Sequence, residues 1–429
     1  MKKEYRIILY TSIFLLCVVA SIILVVKKSN SVYEEESKPK VVKHKSMLSM
    51  NLEQTAGSGD YKTVTQSSWP TEGYKFNAEL SKCENGSTLS WDDTKKAVIV
   101  SGNLSDKCYV YFDIYQPTLA EYIKSQYTGT QGENNIYYHD SDLANGAGDN
   151  SYRYAGANPN NFVCFGTTES PCPTDNLYRI IGVFGENYHG VTGKQLVKLI
   201  KYDYMTTDEL GTDGDYSQTY KEWGLDSTYK GTYGDGERIG VYYWNYKATG
   251  SATNTWSTSL LNKTNLNTNF INNIGTTWAN KIATVTWKVG GNTWANIGTK
   301  TSSVAYTNEI TNPVTTNTTD NATTYSAKIG LMYVSDYGFA ASPDAWTLTM
   351  SSYNNTTATN NNWMYMGLYE WTISRNAGGS NAAFFVSGGG RVDSNYVYSY
   401  YGVRASFNLE SSVSYVSGSG SMSDPIVIN

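Results

Sequence analysis

An apolar segment near the N-terminus constrains this chain more than any other feature. It runs from Ile7 to Val26 without a charged side chain, and basic residues precede it. At about 1.5 Å per residue, a helix of this length spans about 30 Å, the thickness of the hydrocarbon core of a membrane. The segment therefore predicts a single transmembrane helix over residues 7–26, with a cytoplasmic tail over residues 1–6.

Two other interpretations of this segment stay open. Val18, Val19 and Ala20 form an acceptable signal-peptide cleavage site, but the apolar run continues beyond it for longer than a signal peptide needs. A lipoprotein anchor through Cys17 is less favoured, because the large Leu16 precedes it where processing requires a small residue. Lysines both precede and follow the segment, so counting them does not orient it.

The other four cysteines indicate an oxidising compartment. They form two local pairs in sequence, Cys83 with Cys108 and Cys164 with Cys172. An even number of paired cysteines in a chain with an export signal predicts disulfides, and so predicts that the region after the membrane segment is extracellular. The alternative is four buried thiols in a reducing compartment.

Composition excludes some partners and cofactors. The net charge is −5, so no basic surface for nucleic acid is expected. Only three histidines occur, and the chain lacks CxxC, HExxH and any Cys/His cluster, so we expect no metal and no cofactor. Three spaced acids could hold calcium but lack a calcium-loop template, which favours a solvated loop instead: Asp140, Asp142 and Asp149.

An enzyme is the least favoured class of function. A surface glycosidase would use paired carboxylates, and Asp344, Glu370 and Asp393 are candidates, but no spacing selects two of them. The chain has no GxSxG motif and no Cys–His pair. We therefore expect no catalytic activity.

The chain after the membrane segment divides by composition into four regions. Residues 27–65 have little apolar periodicity and predict a stalk. Residues 66–116 alternate short strands with turns and predict a small β module stapled by Cys83 and Cys108. Residues 117–174 are polar and glycine-rich and predict a connecting region, and residues 175–429 predict the main domain.

The main domain mixes strands with a few helices. LYRIIGVF and QLVKLIKYDYM predict a hairpin, and WSTSLLNKTNLNTNFINNIG predicts a helix by its four-residue spacing of apolar side chains. YSAKIGLMYVSDYGFA, residues 325–340, predicts another strand. The fold class is therefore α+β with mostly antiparallel strands.

The order of the segments in the main domain indicates a resemblance to a known family. NLYRIIGVF, VKLIKYD, YYWN, a Trp-led helix with LLN and FIN, IGLMYVSDYGFA, WTISRN, AAFFVSGGGRVDSN and YGVRASFNL follow one another. With this order, residues 175–429 resemble an uncharacterised bacterial surface-protein family with a C-type-lectin-like fold. They are similar in particular to the variable proteins of diversity-generating retroelements and to formylglycine-generating-enzyme-like relatives. The Cys83 to Tyr115 stretch looks like a small module of gut-bacterial surface proteins.

The resemblance implies a rigid sheet that displays a variable patch just before a final G-x-R strand. Gly402, Val403 and Arg404 match the fixed scaffold. The sugar motifs EPN and QPD are missing, and no catalytic cysteine pair follows Cys172, so neither a calcium-held sugar nor the formylglycine chemistry is implied. The positions matching the patch are Asp393, Ser394, Asn395, Tyr396, Tyr398, Ser399, Tyr400 and Tyr401.

The residue types of this patch also suit recognition. Tyrosine offers a large contact area with few rotatable bonds, and Ser and Asn offer adaptable hydrogen bonds. Neither face of residues 396–401 is cleanly apolar, and a buried hydroxyl without a partner costs about 1–3 kcal/mol. Residues 393–401 are therefore expected to form an exposed loop or hairpin rim.

These features predict a membrane-anchored bacterial cell-surface protein that adheres to an external protein or glycan. An ordinary tyrosine-rich β surface, a structural envelope protein without a specific ligand and a surface hydrolase are the alternatives.

Overall fold

The computed structural model describes most of the chain after the predicted membrane segment, namely residues 48–65, 68–70, 73–212, 220–225, 227–233, 237–246, 252–313 and 322–429. The described residues divide into two compact units, the first ending at Gln116 and the second running from Pro117 to Asn429. The predicted transmembrane helix lies outside the described residues. Within the described residues, no helix is long and apolar enough to cross a membrane.

The first unit is a small β structure. A five-stranded sheet has the order β2-β1-β7-β3, with β4 also paired to β7, and β5 and β6 form a separate hairpin. Strands β1 and β7 are parallel, whereas the other pairs are antiparallel. The strands are β1 Leu48–Glu53, β2 Tyr61–Val64, β3 Tyr74–Phe76, β4 Lys82–Cys83, β5 Thr88–Asp92, β6 Ala97–Ser101 and β7 Cys108–Ile114.

The alternation along β7 builds the core of this unit. Cys108, Val110 and Phe112 are buried, whereas the residues between them are half-buried. The ring of Phe112 lies within 6 Å of three further aromatic rings, those of Trp69, Phe76 and Trp91. Cys83 and Cys108 form a disulfide, as the sequence predicted.

The prediction of a stalk over residues 27–65 is wrong for its C-terminal part, because β1 and β2 belong to the first unit. The sequence pattern does not predict β1 as a core strand, because half of its buried residues are polar. The Asn51 amide donates to the Val110 carbonyl at 3.3 Å. The Glu53 carboxylate accepts from the backbone N–H groups of Gly59 and Ile114 at 3.1 and 2.9 Å. Buried polar groups are tolerated where such partners exist.

The second unit contains two large sheets. The seven-stranded sheet has the order β17-β22-β12-β11-β9-β8, with β10 also paired to β11. Its strands are β8 Ile136–His139, β9 Ser151–Tyr154, β10 Phe162–Cys164, β11 Leu177–Phe184, β12 Leu196–Lys201, β17 Ile329–Gly330 and β22 Ser406–Asn408. All of its pairs are antiparallel, and β11 with β12 is the predicted hairpin.

The six-stranded sheet has the order β13-β14-β21-β18-β19-β20. Its strands are β13 Tyr220–Gly224, β14 Arg238–Tyr242, β18 Glu370–Arg375, β19 Ala382–Val386, β20 Val392–Tyr396 and β21 Tyr401–Gly402. Only β18 and β21 pair in parallel within it. Two further pairs are β15 Val285–Lys288 with β16 Thr324–Ala327, and β23 Tyr415–Ser417 with β24 Val427–Ile428.

Short helices connect the strands, which completes the α+β class predicted from the sequence. The α-helices are α1 Leu119–Ser125, α2 Glu186–His189, α3 Thr207–Leu210, α4 Ile271–Ala279, α5 Trp294–Ile297, α6 Ser302–Tyr306, α7 Val334–Ala340 and α8 Thr356–Asn360. Leu261–Phe270 and Thr307–Thr311 are π-helical. Single 3₁₀ turns occur at Glu133–Asn135, Thr174–Asn176, Trp256–Thr258, Pro343–Ala345 and Met350–Ser352.

Residues 117–174 are not a separate connecting region. They supply α1 and the strands β8, β9 and β10, and they belong to the second unit. The sequence of this region is polar, but its polar groups can be buried because they have partners within the fold. The Arg153 guanidinium binds Asp149 at 2.7 Å, and the Asn161 amide donates to the Ile180 carbonyl at 2.8 Å. The second predicted disulfide, Cys164–Cys172, is present here.

Residues 325–340 contain a helix rather than one long strand. Strands β16 and β17 are short, and α7 follows them. Two carboxylates favour a helix here over a continued strand, because they accept hydrogen bonds from the first backbone N–H groups of α7. Asp336 accepts from the Tyr333 backbone at 2.9 Å, and Glu309 accepts from Val334 and Ser335 at 3.0 and 2.8 Å. Negative charge at a helix N-terminus is stabilising, and Glu309 is too distant in sequence to predict.

The two disulfides should differ in importance. Replacing Cys83 and Cys108 by alanine removes a cross-link with a sequence separation of 25, for which chain entropy predicts a loss of about 3.5 kcal/mol. The corresponding loss for Cys164 and Cys172, with a separation of 8, is about 2.5 kcal/mol. Urea unfolding of the full-length variants checks this, and equal midpoints for wild type and the first variant would contradict it.

Candidate functional site

The predicted patch begins on an edge strand. Among the strands that the structure describes, β20 pairs only with β19, through a tight hairpin. The Ser387 backbone N–H donates to the Arg391 carbonyl at 2.8 Å across the turn. Gly390 has a φ of +91°, and a Cβ there would meet the Tyr353 carbonyl oxygen at 3.0 Å, so glycine is required for both reasons.

The edge of β20 is closed to further pairing by its own side chains. The Asp393 carboxylate accepts from the backbone N–H of Ser394, and the Asn395 side-chain oxygen accepts from that of Tyr396, both at 2.8 Å. Arg391 forms an ion pair with Asp393 at 2.9 Å. Edge strands that keep free N–H groups invite aggregation, so these contacts keep the side chains, rather than the backbone, as the available surface.

A tight turn follows β20 and displays two tyrosines. Residues Tyr396 and Tyr398 are 51% and 43% exposed, and their rings lie side by side. They stack on each other with centroids 5.1 Å apart and planes only 4° from parallel. We call these two residues the tyrosine pair. The Ser399 N–H donates to the Tyr396 carbonyl at 2.9 Å and closes the turn.

Val397 anchors the turn between the two exposed rings. Its side chain is completely buried in the core of the second unit. Its backbone N–H donates to the Asn381 carbonyl at 3.0 Å, and its carbonyl accepts from the Asn245 N–H at 3.1 Å. The tyrosine pair is therefore held on a rigid support.

The expectation that all of residues 393–401 are exposed is wrong for the buried Val397 and for Tyr401. Tyr401 is 8% exposed and lies on β21 beside β14. Its hydroxyl accepts from the Asn395 amide at 2.7 Å, so burial leaves no hydroxyl without a partner, which was the premise for expecting exposure. Burial raises the pKa of Tyr401. Tyr400 is half-buried, with its ring 4.5 Å from that of Tyr243.

One exposed aromatic residue was missed by the sequence reasoning. Tyr369 is 42% exposed, and its ring stacks on those of Tyr401 and Phe385 at 5.2 and 5.7 Å. It lies directly before β18 and two residues before the buried Trp371, and residues two apart in a strand lie on the same face. The alternation in YEW therefore predicts a core position, and no local signal shows that the sheet ends there.

The other carboxylate candidates do not join this site. Glu370 is buried and binds Arg404 through both oxygens, at 2.8 and 2.9 Å. Asp344 lies in the 3₁₀ turn Pro343–Ala345. Asp149 pairs with Arg153, as described above. In the part of the chain that the structure describes, no three His, Cys, Asp or Glu side chains are grouped to hold a metal.

Comparison with known proteins adds no relative to this picture. No protein-family model, no curated protein and no solved structure matches the chain. The chemistry of the site therefore stands on its geometry. Its described residues offer exposed aromatic faces, amide and hydroxyl hydrogen-bonding groups and the ion pair of Arg391 with Asp393.

Stability measurements should distinguish the buried support of the turn, Val397, from the exposed tyrosine pair. Val397→Ala removes two buried methyl groups, so it should destabilise the second unit by about 2 kcal/mol. The double variant Tyr396→Ser, Tyr398→Ser removes exposed rings, so it should change stability by less than about 1 kcal/mol. Urea unfolding of the full-length protein measures both. A larger loss for the tyrosine variant than for Val397→Ala would show that the tyrosine pair has a structural role.

Proposed function

We propose that this chain is a membrane-anchored bacterial cell-surface protein whose second unit, with a C-type-lectin-like fold, binds an external protein or glycan. The contact residues are Asp393, Ser394, Asn395, Tyr396, Tyr398, Ser399 and Tyr400. Tyr401 supports them from beneath, because its hydroxyl orients Asn395. The segment order quoted from the sequence and the α+β architecture support this reading.

The exposed tyrosine pair is the observation that carries the proposal. A stacked pair of exposed rings contributes little to the stability of the fold, and small polar residues could take their places on the same turn. In a binding surface, the same rings offer preorganised contact area, and tyrosine is enriched among the residues that dominate binding energy. Val397 fixes the turn in advance, which reduces the ordering cost of binding.

The polar groups around the pair fit recognition by hydrogen bonding. Ser394 and Asn395 are half-buried on β20 at the edge of the sheet, so part of each residue is accessible. The Ser394 hydroxyl already accepts from the Asn376 amide at 3.1 Å and can donate its own proton outward. Flat aromatic faces with oriented hydroxyl and amide groups suit either a sugar ring or a polar protein surface.

A ligand screen with matched variants tests this function. Full-length protein in detergent is applied to glycan and bacterial- or host-protein arrays, and the strongest ligand is titrated. The double variant Tyr396→Ser, Tyr398→Ser should weaken binding by at least about 30-fold, because residues at the centre of an interface contribute 2 kcal/mol or more.

A second stacked pair provides the control. Tyr138 and Tyr152 stack at 4.6 Å on strands β8 and β9 of the other large sheet. The variant Tyr138→Ser, Tyr152→Ser removes the same atoms elsewhere on the unit and should keep the affinity. Equal affinities for wild type and the Tyr396/Tyr398 variant would reject the proposed contact surface.

The proposed location has its own test. Because the anchor is assigned to residues 7–26 and the two disulfides need an oxidising compartment, protease added to intact cells should remove everything after about residue 30. Immunoblotting with antibodies against the second unit measures the loss, and a cytoplasmic protein serves as the control for lysis. Protection of the second unit in intact cells would show that the topology is wrong.

A further inference from the structure

A lysine and an aspartate meet in the interior of the second unit. Lys198 lies on β12 and Asp336 on α7, and neither side chain has any exposed surface. The Lys198 Nζ atom is 2.6 Å from the Asp336 Oδ2 atom. Burying such a pair is costly, because the loss of hydration of the two charges can exceed the attraction between them.

Aromatic rings surround the lysine on several sides. The centroids of the Tyr333, Tyr188 and Trp287 rings lie 4.4, 4.9 and 5.0 Å from Nζ. Burial among these rings lowers the pKa of Lys198. The neutral amine, which is a nucleophile, is therefore easier to reach here than in water.

The Tyr188 hydroxyl connects the two groups. It accepts a hydrogen bond from Lys198 Nζ at 2.7 Å and donates one to the Asp336 Oδ1 atom at 2.6 Å. This arrangement is a path for protons from the nitrogen to the carboxyl oxygen. A plain ion pair needs no such bridge.

Two further groups favour attack on the Asp336 carboxyl carbon. The Tyr333 backbone N–H donates to Oδ2 at 2.9 Å and would stabilise negative charge on that oxygen. Arg153 Nη1 lies 3.9 Å from Oδ1 and has no hydrogen-bond partner among the described residues, although it is buried. A buried cation with a free donor beside a carboxyl group stabilises charge that develops there.

We propose that Lys198 and Asp336 condense to an intramolecular amide bond. One ammonium proton first passes through Tyr188 to Oδ1, which leaves a neutral amine beside a carboxylic acid. Nζ then attacks the Asp336 carboxyl carbon and forms the C–N bond, and a second proton passes from the nitrogen through Tyr188 to Oδ1. The C–Oδ1 bond then breaks, and that oxygen leaves as water. Oδ2 becomes the amide carbonyl oxygen, still bound by the Tyr333 N–H. Charge and atoms balance without any co-reactant.

Proximity supplies the driving force for a reaction that is unfavourable between free groups in water. Well-oriented groups in one molecule reach effective concentrations of about 10⁵–10⁸ M. Burial among aromatic rings also disfavours the reverse reaction, in which water would hydrolyse the amide. The product also replaces a buried ion pair by an uncharged amide. Its bond would join the seven-stranded sheet covalently to α7.

Peptide mapping of the full-length protein tests the proposal directly. After digestion, Lys198 and Asp336 should occur in a single linked species whose mass is lower than the sum of the two peptides by one water molecule. Recovery of the two peptides separately, each at its unmodified mass, would overturn the proposal without any variant.

Three variants locate the bond and its proton path. Lys198→Arg keeps the cation but should abolish the linked species. Tyr188→Phe should reduce the linked fraction at least several-fold, and an unchanged fraction would overturn the role of the Tyr188 hydroxyl. The control is Lys201→Arg, because the buried Lys201 also lies 3.0 Å from a carboxylate, that of Glu209. This control should retain the Lys198–Asp336 link, and a Lys201–Glu209 link in wild type would overturn the role assigned to Tyr188 and the surrounding rings.

Discussion

The ion pair between Arg404 and Glu370 is the contact on which the second unit depends. The chain leaves the six-stranded sheet at Gly402 and enters the seven-stranded sheet at Ser406, and Arg404 lies between them. Its guanidinium binds both oxygens of Glu370 on β18 and also the Met364 carbonyl at 2.7 Å. Removing one partner of such a buried pair typically costs about 3–5 kcal/mol.

The display of the tyrosine pair follows from this crossing. Because Arg404 fixes where the chain passes between the sheets, the preceding residues have little freedom. Tyr401 must lie in β21, and Val397 must fill the core under the turn. The exposed rings are therefore positioned by buried groups on both sides of them. Sites built on such rigid elements hold their geometry better than free loops.

The sequence predicts the parts of this structure that depend on local pattern. The β11–β12 hairpin and both disulfides are confirmed, because apolar runs bounded by turn residues and cysteine spacing are local signals. The errors lie where a distant partner changes the meaning of a residue. Asn51 and Glu53 look like linker residues until their backbone partners are known. Tyr401 looks exposed until Asn395 accounts for its hydroxyl.

The scarcity of charge has a structural consequence for recognition. Only 17% of residues are charged, and the second unit buries several of them in its interior: Arg153, Lys198, Glu309, Asp336, Glu370 and Arg404. Near the tyrosine pair, the described residues include an ion pair of the exposed Arg391 with the half-buried Asp393. Long-range electrostatic steering therefore contributes little to association, and salt weakens only interactions between exposed charges. Recognition by this surface rests on ring contact and short-range hydrogen bonds, which act only after the ligand and the rigid turn have met.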